Sequence, residues 1–161
     1  MQGEKMRILY TGFKGKYNSS YQVLSRCSGE TLALTNSFDG LKRDIMNITD
    51  TYDLVIMFGL DTKLRDVVRI EAVAEYDGIK KMTKIDCNTI CRHMKETNIP
   101  CVVSETPTKY LCNAAYYHML QKTDEKAVFV HIPSLKNMSE DMMERIVNCM
   151  GTGFNSFYDT D

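Results

Sequence analysis

Five consecutive apolar residues, Leu54-Val55-Ile56-Met57-Phe58, closed by Gly59, set the strongest limit on how this chain can fold. Successive side chains of a strand point to opposite faces, so a strand that is apolar at every position has to be covered on both. That is the condition of an inner strand in a largely parallel sheet with helices above and below. The neighbouring sequence supplies those layers. Residues 7–11 and 31–35 read as strands, residues 18–27 as a helix capped by Asn18 or Ser19, and residues 39–48 as a helix with Leu41, Ile45 and Ile48 on one face. This alternation amounts to two successive βαβ units.

The winding is interrupted after the third strand. Residues 70–76 and 79–83 are strand-like arms around Asp77-Gly78, a dipeptide suited to a tight hairpin because both positions tolerate positive φ. Beyond it Cys87, Ile90, Cys91 and Met94 return to helical spacing, followed by a strand at 100–104, a helix at 110–121, a strand at 127–131 and a helix at 139–150. The expected fold is therefore α/β, three layers in the order α/β/α, with a mostly parallel twisted sheet and a β-hairpin insertion. Residues 1–150 are expected to form a single domain and residues 151–161 a flexible C-terminal tail.

With 20 basic against 21 acidic side chains the net charge is −1, so no overall field recruits nucleic acid or an anionic membrane. The charged stretch through Arg7 and the short apolar run after it read as neither a signal peptide nor a membrane span. Six cysteines without an export signal then read as reduced thiols in a cytoplasmic protein. Cys87, Cys91 and His93 come nearest to metal-ligand spacing, but the two cysteines share an apolar helical face with Ile90 and Met94 and read as core. No metal and no cofactor are expected. Gly12 and Gly15 fit neither the dinucleotide-binding nor the phosphate-loop glycine spacing, which argues against a nucleotide site.

Reactive groups in a parallel α/β sheet gather at the carboxyl ends of the strands. The strand at 100–104 leads to Cys112 in the first turn of the next helix, and the strand at 127–131 ends on His131 just before Pro133. These two strands are expected to be neighbours that present a thiol and an imidazole from one edge, with the helix N-terminus lowering the thiol pKa toward a thiolate. Glu71 is the carboxylate set in an otherwise apolar strand pattern and the candidate to orient the imidazole. Early-helix amides near Cys112 and Asn113, and the charge of Arg65, are candidates to stabilise an oxyanion. Phe13 either offers an apolar surface to a small ring-shaped group or fills the core. Taken singly, a helix cysteine or a strand-end histidine is more often a packed side chain, and only their combination points to chemistry.

Four stretches resemble the pyroglutamyl peptidase I family of cysteine peptidases. Tyr110-Leu111-Cys112-Asn113 with Tyr116-Tyr117 is similar to that family's nucleophile motif, and Val128-Phe129-Val130-His131-Ile132-Pro133 to its histidine motif. Arg65 followed by Glu71-Ala72-Val73-Ala74 resembles its arginine and glutamate segment, and Thr11-Gly12-Phe13 its opening strand. The resemblance implies a phosphorylase/hydrolase-like fold. It also implies a Cys112, His131 and Glu71 triad, substrate contacts from Phe13, Arg65 and Asn113, and release of an N-terminal pyroglutamyl or related small cyclic or hydrophobic group by thiol acyl transfer. His131 would keep Cys112 ionised. The implied partners are a peptide or small amide substrate and further copies of the chain, as a homo-oligomer (dimer or tetramer). Two departures fall on the substrate side: Lys14-Gly15-Lys16-Tyr17 replaces a proline-phenylalanine-glycine-glycine stretch, and Leu60 replaces a glutamine. They motivate the alternative of a degenerate member that binds a peptide or small ligand without turning it over.

Overall fold

The computed structural model describes residues 6–152. In chain order these form β1 (Ile8–Phe13), α1 (Ser19–Arg26), β2 (Glu30–Leu34), α2 (Phe38–Met46), β3 (Leu54–Leu60), β4 (Val68–Glu71), β5 (Val73–Tyr76), β6 (Ile79–Met82), α3 (Cys87–Glu96), β7 (Cys101–Ser104), α4 (Tyr110–Lys122), β8 (Ala127–Ile132) and α5 (Glu140–Ile146). A π-helical end, Val147–Thr152, extends α5, so the tail expected from Gly151 lies, after Thr152, outside the described residues.

Six strands make the main sheet in the order β2-β1-β3-β8-β4-β7. Residues 54–58 of β3 are wholly buried between parallel neighbours β1 and β8, as an unbroken apolar run requires. Alternate side chains then separate two cores. Tyr10, Ile56, Phe58, Val128 and Val130 pack with residues of α1, α3 and α5, whereas Leu9, Val55, Met57 and Phe129 pack with residues of α2 and α4. This is the three-layer α/β/α arrangement with a mostly parallel sheet.

The far side of the sheet departs from the sequence expectation. β4 runs antiparallel to β8 and lies between it and β7, which is parallel to β4. β7 and β8 are therefore not neighbours, and their carboxyl ends face opposite ends of the sheet. The cause is the connection after β3: residues 61–67 contain no helix, and a parallel return needs a crossover of roughly a dozen residues or more. The chain can only turn back.

The hairpin forms at Asp77 and Gly78, whose φ values of 55° and 77° are those of a primed turn matching the twist of its strands. Its first arm is shorter than the pattern 70–76 indicated, because residues through Glu71 pair in the main sheet and only 73–76 pair with β6. Close packing of α1 on β1 depends on Gly12, where an added Cβ would lie 2.6 Å from the carbonyl oxygen of Ser20. Gly12→Ala should therefore cost about 1–3 kcal/mol, read as a lower denaturant midpoint. Gly78→Asn, at an open left-handed position, should cost well under that.

Candidate active site

Strand alternation decides which side chains reach the α4 face. On β8 these are Ala127, Phe129 and His131, and the register sets His131 beside Gly59 of β3 and Arg69 of β4. Glu71 lies opposite Phe129 and shares the α4 side with Arg69, two residues before it. His131, Arg69 and Glu71 are thereby drawn to the end of the sheet where α4 begins.

There the polar groups form one connected set. The Nδ1 of His131 lies 2.8 Å from Oε2 of Glu71, both side chains being at most 4% exposed. A carboxylate can only accept, so Nδ1 carries the proton and Nε2 is left free as a base. The guanidinium of Arg69 donates from Nε to the same Oε2 at 2.5 Å and from Nη2 to Oδ2 of Asp61 at 2.7 Å. Oδ1 of Asp61 accepts from the Lys63 amide at 2.9 Å. Burial works against the Arg69 cation, but Glu71 and Asp61 outweigh it and hold its pKa above the ordinary value. Burial likewise disfavours the Asp61 carboxylate, yet the Lys63 amide and Arg69 keep its pKa low. Tyr116 on α4 donates its hydroxyl to the Glu71 carbonyl at 2.7 Å and so ties this part of β4 to the helix.

Cys112 sits in the first turn of α4, partly buried, on a pocket of about 500 Å³ that it lines together with His131, Leu60, Asp61, Lys63, Lys109 and Leu111. Room for its sulfur exists because residue 59 is glycine: a Cβ there would stand 3.0 Å from Sγ and 2.4 Å from the Phe129 ring. No hydrogen bond joins the thiol to the imidazole across the pocket. Burial pushes the Cys112 thiol up to about 12, with the charges of Asp61 and Glu71 adding to the rise and Arg69 opposing it. The low thiol pKa expected from the helix N-terminus is thus corrected: burial first, and then the charges of Asp61 and Glu71, set the thiol above its ordinary value. Lys109, the N-cap of α4, supplies no side-chain cap, and Tyr110 has a φ of 69°. The first-turn amides beside Cys112 are therefore not taken up by a capping side chain.

The remaining residues singled out in the sequence lie elsewhere. Arg65 is exposed and donates to Asn137 at 2.9 Å, so the arginine that meets Glu71 is Arg69. Phe13 is 3% exposed in the core with Leu34, Leu41 and Phe129 and does not line the pocket. Asn113 clamps the hairpin, accepting from the Glu75 amide at 3.0 Å and donating to its carbonyl at 2.6 Å. Gly59 figures in the sequence only as the end of a strand, and Asp61 and Arg69 carry no motif there, yet all three build the site. Of these, Arg69 was accessible, because an i, i+2 pair on a strand shares one face.

The family profile of pyroglutamyl peptidase matches residues 62–153. No curated protein matches the chain. Among solved structures, pyrrolidone carboxyl peptidase from Fervidobacterium islandicum AW-1 superposes with a TM-score of 0.77 at 21% identity, covering 96% of this chain and 99% of that one. A mutant of the Pyrococcus furiosus pyrrolidone carboxyl peptidase gives 0.76 at 18% identity over 94% of this chain and 100% of the other. The Thermococcus litoralis pyrrolidone carboxyl peptidase gives 0.73 at 18%, over 91% and 90%.

Two substitutions test the geometry. Gly59→Ala should displace Phe129 and the thiol, lowering stability by about 1–3 kcal/mol and changing the alkylation rate of Cys112 read by mass spectrometry. Arg69→Ala strips a buried carboxylate of its cation and should destabilise by about 3 kcal/mol, more than the exposed Arg65→Ala.

Proposed function

The chain belongs to the pyroglutamyl peptidase family, and on that premise we propose that it is a thiol-dependent exopeptidase releasing an N-terminal pyroglutamyl or related small cyclic or hydrophobic group from peptides. The observation that carries this reading is the Glu71–His131 hydrogen bond at the wall of the pocket that also holds Cys112. Cys112 is the nucleophile, His131 the general base and acid, and Glu71 the carboxylate that fixes the imidazole tautomer.

With the thiol pushed up to about 12, Cys112 rests as the neutral S–H rather than as half of an ion pair. The proton passes from sulfur to Nε2 of His131 as the S–C bond forms, and the first-turn amides of α4 receive the developing oxyanion. The imidazolium, held by Glu71, then protonates the departing amine as the C–N bond breaks. Water, deprotonated by His131, releases the acyl group from the thioester. The thiol and imidazole need only close on one another once substrate fills the pocket, a tightening common to sites seen without ligand.

Leu60 in the pocket and Phe13 outside it favour a small hydrophobic acyl group over one recognised by its lactam. Assembly as a homo-oligomer (dimer or tetramer) and a cytoplasmic location complete the proposal. Free cysteines are consistent with a reducing compartment, and among the described residues no helix is long and apolar enough to cross a membrane. The missing thiol–imidazole hydrogen bond favours a second reading, a member that binds a peptide or small ligand without turnover.

Turnover of a pyroglutamyl fluorogenic amide, beside a panel of aminoacyl amides, separates the two. Cys112→Ser should abolish release, His131→Ala should lower kcat by about 10²-fold or more, and Glu71→Gln should lower kcat more than it raises KM. Rates equal to the Ser variant on every substrate would leave only the binder. The thiol adds a pH test. A pKa above the ordinary value means protonation at neutral pH, so iodoacetamide labelling of Cys112 should climb about tenfold per pH unit through the alkaline range. A plateau below pH 8 would instead signal a resting ion pair.

A further inference from the structure

Building on that peptidase reading, we propose that the Cys112 pocket selects small substrates with a free carboxylate close to the scissile amide, held by Lys63 and Lys109. Dipeptides are then better substrates than longer or C-terminally amidated chains. The two lysines come from separate segments, the β3–β4 connection and the position just before α4, and both line the pocket with Cys112 while remaining exposed. Asp61 is the only acidic residue among those lining it, and its two oxygens are engaged by Arg69 and by the Lys63 amide. Among the described residues no carboxylate lies within ion-pair distance of either lysine ammonium, whereas other cations such as Arg7, Arg26, Lys84 and Arg145 are paired.

The charge balance of the mouth follows. Arg69 is shared between Asp61 and Glu71, so the two lysines turn a local deficit of one charge into a surplus of one, on a chain whose overall charge is −1. A positive mouth is thus a local feature and not a reflection of composition. Leu60 and Leu111 give the same pocket apolar wall, so its occupant combines an uncharged body with one anionic end. In a dipeptide that end is the terminal carboxylate, one residue past the bond cleaved. In a longer chain it is carried out of reach, and an amide removes it.

The test has two arms on the full chain. In the first, Cys112 is alkylated with anionic iodoacetate and with neutral iodoacetamide, and the ratio of the two rates is measured by mass spectrometry. Any change in thiol ionisation cancels in this ratio. Replacing both lysines (Lys63→Gln with Lys109→Gln) should lower it by about three- to tenfold, and added salt should lower it in the unaltered protein. In the second arm, kcat/KM for pyroglutamyl-alanine and for leucyl-alanine is compared with that for their C-terminal amides; the acid should be preferred in each pair that turns over, and the preference lost in the double variant. A reagent ratio indifferent to the lysines, or turnover that ignores the carboxylate, overturns the proposal. Failure of all four peptides to turn over while the ratio still falls would overturn the peptidase reading and leave the carboxylate pocket standing.

Discussion

One carboxylate oxygen organises this end of the molecule. Oε2 of Glu71 receives both the imidazole of His131 and the guanidinium of Arg69, in surroundings where the Glu71 side chain is 2% exposed. An isolated ionised carboxyl at such depth would be costly, and pairing with a fixed cation is what permits it. Arg69 is itself anchored by Asp61, so the chain Asp61–Arg69–Glu71–His131 fixes the imidazole from behind and leaves its other nitrogen toward the pocket. Replacing any member disturbs the rest, because each buried charge is compensated by its neighbour.

The reversal of β4 is the topological condition for this chain of contacts. Were β4 another parallel strand reached through a crossover helix, its carboxyl end would stand beside that of β8. Running antiparallel, it places Arg69 across from His131 and Glu71 across from Phe129 on one face. Helix α4 then closes that face, with Tyr116 bonded to the Glu71 carbonyl, Asn113 to both backbone groups of Glu75, and Cys112 fitted above Gly59. One helix therefore positions the sulfur, holds the strand that carries the carboxylate and fastens the hairpin behind it.

Much of this was legible in the sequence, and the rest was hidden for physical reasons. The apolar run of β3 dictated a doubly covered inner strand, and Asp77-Gly78 dictated the turn, since both are local signals with one structural solution. Strand order was not legible: the short connection 61–67 forces β4 to run backwards, but nothing in it announces that β4 will lie beside β8 rather than β3. The expectation that β7 and β8 adjoin failed for that reason, although Cys112 and His131 still meet at one pocket. They do so because α4 runs back along the sheet, bringing its first turn to the carboxyl end of β8. The thiol pKa was misjudged because a helix N-terminus shows in sequence, whereas burial and the folded positions of Asp61 and Glu71 do not.

The family match divides the pocket in two. Residues 62–153 contain β4, α4 and β8, and with them Glu71, Arg69, Cys112 and His131. Residues 8–60, which lie before the match, supply Leu60 to the wall and Gly59 beneath the sulfur. The groups suited to acyl transfer thus sit on the matched portion, while part of the surface a substrate would meet comes from outside it. Phe13 belongs to that outer portion and is spent on the core with Leu34 and Leu41, so a ring in the pocket would have to find Leu60, Leu111 or Tyr110 instead. Under the peptidase reading proposed above, such a division lets the substrate change before the mechanism does, because acyl transfer depends on a few fixed polar contacts whereas specificity is distributed over the apolar lining.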